Sequence, residues 1–136
     1  SSSNQYLSIL QSSSLTYIST GTTNETIYFG IGPVSNVTNI NVAGTATATN
    51  FILSSDKTLK DKIKNIKANH VDVKWKNFEL ISEPGVKRSG VIAQELEDKH
   101  PEFIRTDKDG LKSVAYIDLL ITKIAELEAR IKKLEK

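Results

Sequence analysis

Residues 117–134 read IDLLITKIAELEARIKKL, and this stretch does most to decide the fold. Isoleucine and leucine recur in it at spacings of 3, 4, 3, 4 and 3 residues, at Ile117, Leu120, Ile124, Leu127, Ile131 and Leu134. This is the a/d pattern of a coiled coil, with Ile at each a position and Leu at each d position. In a parallel, in-register coil, Lys123 at a g position faces Glu128 at an e position of the next chain. Arg130 and Glu135 are related in the same way, so both pairs carry opposite charges.

The heptad pattern has two interpretations. Copies of the chain form a coiled coil through this seam, or the segment is a single amphipathic helix packed on its own domain. The seam continues to the last residues, where little chain remains to cover it, so we favour a coiled coil over residues 117–136. The choice of Ile and Leu favours two strands in isolated coils, but the upstream chain can overrule that preference.

Charge divides the chain into two parts. The 136 residues include 18 Lys and Arg and 16 Asp and Glu, yet a single acid is the only charged residue before Asp56. The first part is rich in Ser and Thr, whereas the second is rich in Lys and Glu. This break predicts a boundary at Ser54-Ser55, with a β-rich segment over residues 1–54 and a small α+β domain over residues 55–136.

Short apolar and alternating segments in the first part predict strands over residues 5–10, 15–19, 26–31 and 37–42. So few large apolar residues in about fifty positions cannot form a stable core within one chain. We therefore expect several chains to wind together and share a core. Four aromatic residues belong to that core or, alternatively, form stacking platforms for a host-surface glycan: Tyr6, Tyr17, Tyr28 and Phe29.

The second part mixes helical and strand patterns. Leu59, Ile63 and Ile66 have helical spacing and predict a short amphipathic helix that ends near Asn69-His70. The other predicted elements are a strand over Val71–Lys76, a turn at Glu83–Gly85, a helix from Glu95 that ends at His100 before Pro101, a turn at Asp109-Gly110 and a strand over Lys112–Ala115. These elements together predict an α+β domain.

Ser55 and Lys60 are the candidate catalytic residues at the charge break. A hydroxyl and an amine can form a Ser-Lys dyad, in which the uncharged lysine acts as general base. On one continuous helix, a separation of five residues leaves the side chains about 140° apart. They therefore meet only if Ser55 precedes the helix and Lys60 lies in its first turns. The alternative is that Ser55 caps the helix and Lys60 lies on a solvated face.

A set of motifs in the second part is similar to one known family. The motifs are Ser55-Asp56-x-x-Leu59-Lys60, Trp75, the run from Gly90 to Leu96, Pro101-Glu102, Asp109-Gly110 and Val114-x-Tyr116-x-x-Leu119-Leu120. In order and spacing, the region from Phe51 to Lys136 resembles the self-cleaving C-terminal intramolecular chaperones. Domains of that family form the C-terminal ends of phage tailspikes, tail fibres, neck appendages and endosialidases.

The resemblance implies an oligomeric assembly and an order of events from folding to self-cleavage. The C-terminal domain of the family forms a parallel, intertwined homotrimer and templates the folding of the β-rich fibre that precedes it. It then cuts itself off before the serine of the Ser-Asp motif. Residues 1–54 would then be the tip of a mature fibre or appendage in the virion, and the released domain would remain in the host cytoplasm.

The resemblance also implies roles for individual residues. Ser55 is the nucleophile, Ser54-Ser55 is the scissile bond and Lys60 is the candidate general base. Either Ser55 attacks its own preceding bond, or it attacks a bond in another chain. Gln94 and backbone amides near Gly90 are candidate oxyanion donors, and the alternative for Gln94 is a role in packing and backbone hydrogen bonding.

The composition excludes several other function classes. The chain has no Cys and two His, so we expect no metal, no cofactor and no thiol catalysis. We expect both histidines to be structural or solvent-facing. The numbers of basic and acidic residues are nearly equal, which does not match the excess of basic residues typical of a nucleic-acid-binding surface. The sequence contains no run of about 18 apolar residues, so we expect no membrane span. The alternative function is a non-cleaving trimerisation and adhesion module retained in the virion.

Overall fold

The computed structural model describes residues 40–136. The chain divides into two compact units, residues 1–53 and 54–136, and this division lies one residue from the charge break. Residues 40–53 contain no helix or strand, so the predicted strand over 37–42 is wrong for its last three residues. The three earlier predicted strands and the four aromatic residues of the first part lie outside the described residues.

The second unit is a small α+β fold with two short antiparallel sheets and one main helix. Its elements are a 3₁₀ turn at Lys57–Leu59, β1 (Lys76–Glu79), β2 (Lys87–Gly90), α1 (Ala93–Glu97), a 3₁₀ turn at Pro101–Phe103, β3 (Ile104–Thr106), β4 (Lys112–Val114) and α2 (Tyr116–Leu134). Each sheet is one hairpin, β1 with β2 and β3 with β4. The predicted α+β class is therefore confirmed for this unit.

Both hairpins contain the turns that the sequence predicts. Gly85 has a φ of 86° in the connection between β1 and β2, where its N–H donates to a Glu79 carboxylate oxygen at 2.9 Å. In the second connection, Asp107 accepts hydrogen bonds from the backbone N–H groups of Asp109 and Leu111, both at 2.9 Å. Gly110 follows with a φ of 83°, a left-handed conformation that favours glycine.

The core of the unit is small. Its six buried apolar side chains are Val71, Val91, Leu96, Phe103, Ile104 and Leu119. By contrast, twenty-two large apolar side chains among residues 40–136 are exposed. A soluble chain rarely leaves so much apolar surface in water unless another molecule covers it.

Helix α2 packs on the domain through a face other than the predicted seam. Leu119 is fully buried and Glu126, two turns later, is only 2% exposed. All six seam residues from Ile117 to Leu134 are 44–85% exposed. The helix is therefore confirmed, and the seam is not the face by which α2 packs on its own domain.

Glu126 fixes α2 to the start of the core segment. One of its carboxylate oxygens accepts a hydrogen bond from the backbone N–H of Val71 at 2.5 Å. Lys123 donates to the same carboxylate at 3.1 Å and also to the Val71 carbonyl oxygen at 2.9 Å. Arg130 lies 3.2 Å from the second carboxylate oxygen. The buried charge is thus paired on both sides, and both backbone groups of Val71 are satisfied by helix side chains.

These contacts explain why the predicted strand over residues 71–76 is wrong for all but its last residue. Its first residue, Val71, bonds to side chains of α2, and the N–H of Asp72 donates to the His100 ring at 3.1 Å. Backbone groups that are satisfied in this way do not pair in a ladder. The strand β1 therefore begins only at Lys76.

The predicted helix from Leu59 to His70 is also wrong. A 3₁₀ turn ends at Leu59, and residues 60–70 form no helix. The three apolar residues of the pattern, Leu59, Ile63 and Ile66, are all exposed. A helix this short is marginal without tertiary packing of its apolar face, and this segment has none within its own domain.

We expect the Glu126 interaction to make stability depend on pH at acid values. The hydrogen bond from Val71, followed by those from Lys123, lowers the pKa of Glu126 from 4.5 to about 2, against the opposing effect of desolvation. A carboxyl group whose pKa is lower in the folded state stabilises the fold at pH values above its unfolded-state pKa. That stabilisation is lost as the pH falls to the folded-state pKa. The contribution of Glu126 should therefore disappear between pH 4.5 and about 2.

Thermal melting of Glu126→Gln across this pH range checks this. The variant should melt well below the wild type at pH 7, and the difference should shrink as pH approaches 2. Asp118→Asn is the matched control, because Asp118 is exposed on the same helix and lies outside the seam and its flanking e and g positions. Equal melting temperatures of wild type and Glu126→Gln at pH 7 would contradict the role of this carboxylate.

Candidate active site

A capped turn forms the local structure at the charge break. The Asp56 carboxylate accepts hydrogen bonds from the Thr58 backbone N–H at 2.8 Å and from the Thr58 hydroxyl at 2.7 Å. The Asp56 carbonyl accepts from the N–H of Leu59 at 3.1 Å, which closes the 3₁₀ turn at Lys57–Leu59. Asp56 is therefore the N-cap, as expected for an acid at a helix start, and the alternative of Ser55 as the cap is wrong.

This turn brings the two predicted dyad residues together. The Lys60 ammonium donates a hydrogen bond to the Ser55 hydroxyl oxygen at 2.6 Å. Ser55 precedes the turn, and Lys60 directly follows it with extended backbone at φ −121° and ψ 144°. The side chains meet because a single 3₁₀ turn separates them, whereas a continuous helix would hold them on different faces.

The same hydrogen bonds hold Asp56 in its charged form. The hydrogen bond from the Thr58 hydroxyl, together with that from its backbone N–H, lowers the pKa of Asp56 below its ordinary value. A carboxylate that already accepts two hydrogen bonds from the turn is well placed to cap it and has no evident part in proton transfer.

The dyad lies in water and has no described oxyanion partner. Ser55, Lys60 and the whole segment 54–70 are exposed. Gln94 lies on the exposed side of α1. Among residues 40–136, no hydrogen bond joins Gln94 or Gly90 to Ser55 or Lys60. The predicted oxyanion donors and the dyad are thus not connected within one chain.

Gly90 has a packing role. A Cβ at this position would lie 2.3 Å from the hydroxyl oxygen of Tyr116 and 3.3 Å from the Phe78 ring. That hydroxyl accepts a hydrogen bond from the N–H of Val91 at 2.9 Å. The close approach of Tyr116 to the end of β2 therefore needs glycine, which gives a structural reason for this residue.

Both histidines have structural partners. The exposed His70 ring accepts a hydrogen bond from Arg130 at 3.0 Å through Nδ1, beside Glu126. His100 is mostly buried and its Nε2 accepts from the N–H of Asp72 at 3.1 Å. These contacts give His100 a structural role, and His70 faces solvent while bonded to Arg130, in agreement with the expectation that the histidines are structural or solvent-facing.

Sequence reasoning did not single out Glu126. One signal was available, because Glu126 lies seven residues after Leu119, on the same face of α2, with Lys123 and Arg130 one turn away on either side. Spacing alone did not show that this face is the buried one.

Residues 40–136 hold no group of three or more His, Cys, Asp or Glu side chains arranged to bind a metal ion. In the same range, no helix has the length and apolar character needed to cross a membrane. Comparisons with models of known families, with curated proteins and with solved structures found no match to this chain.

We expect the turn to respond to loss of the Thr58 hydroxyl. Thr58→Val removes the hydrogen bond that lowers the Asp56 pKa most, so the pKa of Asp56 should rise toward its ordinary value while the backbone bond remains. Thr58→Ser keeps the hydroxyl and should leave the pKa unchanged. Carboxyl titration followed by NMR measures both, and equal values in all three proteins would contradict the capping geometry.

Proposed function

We propose that this chain is a self-cleaving C-terminal intramolecular chaperone of a phage fibre or appendage. In this proposal, residues 55–136 trimerise, template the folding of residues 1–54 and then cut the Ser54-Ser55 bond. The observation that carries the proposal is the 2.6 Å hydrogen bond between the Ser55 hydroxyl and the Lys60 amine. It lies at the charge break, next to the bond that the family resemblance marks for cleavage.

The dyad supports a balanced reaction at its own preceding peptide bond. The Ser55 oxygen attacks the Ser54 carbonyl carbon, and the neutral Lys60 amine accepts the hydroxyl proton. As the C–N bond breaks, Lys60 passes the proton to the Ser55 nitrogen, which leaves an ester between the two serines. Water then hydrolyses the ester, which frees the Ser54 carboxylate and restores the Ser55 hydroxyl.

The direction of the hydrogen bond matters for this chemistry. A protonated lysine can only donate hydrogen bonds, and a charged amine cannot accept the hydroxyl proton. Cleavage therefore requires Lys60 to lose a proton so that the hydrogen bond reverses. Burial of the dyad disfavours the charged form of a lysine, so an assembly that covers the exposed turn would promote this step.

The contacts within one chain complete the dyad, and the proposal takes the adjacent bond as its target. Ser55 and Lys60 meet through a turn of their own chain, so no second chain is needed to complete the dyad. Both side chains are exposed, and within residues 40–136 neither Gln94 nor Gly90 bonds to them, so a second chain is well suited to supply cover and an oxyanion donor. On this proposal cleavage follows assembly and reports correct folding.

The proposed assembly is a parallel homotrimer through a coiled coil over residues 117–136. It is supported by the six seam residues, which α2 leaves exposed, and by the excess of exposed over buried apolar side chains. Residues 1–54 are the folding client and remain in the virion, with a host-surface glycan as the proposed contact. The released domain stays in the host cytoplasm.

A non-cleaving trimerisation and adhesion module is the second candidate. The observation that favours it is the exposure of the dyad, since a solvated lysine with no oxyanion donor nearby is a poor catalyst. Intact mass spectrometry of the purified protein separates the two functions, because cleavage yields residues 1–54 and 55–136 as separate chains.

We expect Ser55→Ala to remain folded, assembled and uncut, because the change removes only the attacking hydroxyl. Ser54→Ala is the matched control and should still be cut, since Ser54 supplies the carbonyl carbon. Mass spectra of both variants and of the wild type decide the assignment. Cleavage of Ser55→Ala together with loss of cleavage in Ser54→Ala would place the nucleophile one residue earlier.

We expect Lys60→Arg to slow cleavage by about 100-fold or more, the usual contribution of a general base. Arginine keeps the positive charge but does not release a proton near neutral pH. Lys64→Arg, in the same exposed segment, should cut at the wild-type rate. A rate that is unchanged in Lys60→Arg would refute the dyad.

We expect Ile124→Asp combined with Leu127→Asp to block assembly, because unpaired charges buried in a seam cost on the order of several kcal/mol. The dyad is untouched, yet cleavage should also stop because it requires the assembly. Light scattering and mass spectrometry measure the two effects. A monomeric wild type, or efficient cleavage by the monomeric variant, would contradict the proposed coupling.

The chaperone role has its own control. A truncated chain of residues 1–54 lacks the trimerising unit and should stay monomeric, whereas the same residues released from the full chain should remain an assembled, β-rich species. The difference is kinetic, because association of separate chains is slow without the local concentration that the helices provide. A folded trimer from the truncated chain would show that no template is needed.

A further inference from the structure

An open groove lies between the first hairpin and the start of α2. Its volume is about 400 Å³, and its main apolar lining consists of Trp75, Tyr116 and Leu120. Trp75 is 52% exposed and is the only tryptophan in the chain. A half-exposed tryptophan beside a tyrosine and a leucine is a surface that gains stability when apolar atoms cover it.

The position of the groove in the heptad pattern indicates what approaches it. Leu120 occupies a d position of the seam, and Tyr116, four residues earlier, occupies a g position. The groove is therefore continuous with the exposed seam. In a parallel coil, a g residue of one chain faces the e residue five positions later in the next chain. For Tyr116 this residue is Ile121.

The chemistry of the successive g and e positions agrees with this register. The second and third pairs, Lys123 with Glu128 and Arg130 with Glu135, are opposite in charge. The first pair, Tyr116 with Ile121, is apolar on both sides. Ile121 is 50% exposed and is the apolar member of an e series that is otherwise acidic. In this register each g residue would face a residue of matching chemistry in a second copy of the chain, although Lys123 and Arg130 also pair with Glu126 of their own chain.

We propose that the groove of one chain binds Ile121 of the neighbouring copy, so that Trp75, Tyr116 and Leu120 enclose it. The inference rests on the proposed parallel homotrimer and adds to it a specific contact outside the a/d seam. It ties the helix bundle to the first hairpin, because Trp75 directly precedes β1. Assembly of the helices then also orders the hairpin side of each domain.

The single tryptophan reports this contact directly. In the assembled wild type, Trp75 fluorescence should be shifted to shorter wavelength and protected from acrylamide. Ile121→Gln should shift the emission to longer wavelength and lose the protection while the a/d seam still assembles. Ile81→Gln is the matched control, because Ile81 is fully exposed between β1 and β2 and does not line the groove. It should behave like the wild type.

The outcomes separate this inference from the proposed function. A monomeric wild type refutes the proposed trimer. An assembled wild type whose Trp75 is as accessible to acrylamide as in Ile121→Gln refutes the groove contact and leaves the trimer intact.

A second pair of variants covers the case in which Ile121→Gln fails to assemble. The chain has no Cys, so an introduced pair reports proximity without background. Asn77→Cys, in the groove, combined with Ile121→Cys should give disulfide-linked oligomers on a non-reducing gel after oxidation. Ile81→Cys combined with Ile121→Cys should not. Linkage only within single chains, or equal linkage in both pairs, overturns the inference.

Discussion

The hydrogen bond from the Val71 backbone to the buried Glu126 carboxylate is the constraint on which the rest of the domain depends. A charge at this depth is tolerated because Lys123 and Arg130 pair with it. Removal of Glu126 would leave a buried N–H without a partner, and removal of the two cations would leave a buried charge uncompensated. The interaction therefore fixes both the start of the core segment and the rotation of α2 about its axis.

That rotation decides which surface is left for other molecules. With Glu126 and Leu119 turned inward, the Ile and Leu seam faces water along the whole of α2. The same orientation places Tyr116 against the end of β2, where its hydroxyl bonds to Val91 and requires glycine at position 90. The seam and the adjoining groove are thus consequences of one buried ion pair, and both support the proposed assembly.

The candidate dyad depends on a different, purely local structure. A turn capped by Asp56 is enough to bring the Ser55 hydroxyl within 2.6 Å of the Lys60 amine, and no part of the core takes part in it. A local turn of this kind can form before assembly, but because the turn is exposed, Lys60 remains in water. The proposed reaction therefore divides into a dyad formed within one chain and an environment that further chains would provide, and this division would be the physical basis for the proposed coupling of cleavage to folding.

The sequence by itself determined the features that short-range physics controls. These were the charge break, the α2 helix with its seam, and the glycine turns at Gly85 and Gly110. It left open whether Ser55 meets Lys60, which the 3₁₀ turn at Lys57–Leu59 decides. It failed for residues 59–76, where the apolar spacing predicts a helix and a strand. Only the tertiary structure decided that Leu59, Ile63 and Ile66 find no cover in their own domain and that Val71 bonds to α2. The second outcome depends on which face of α2 turns inward, and no spacing within residues 59–76 encodes that choice.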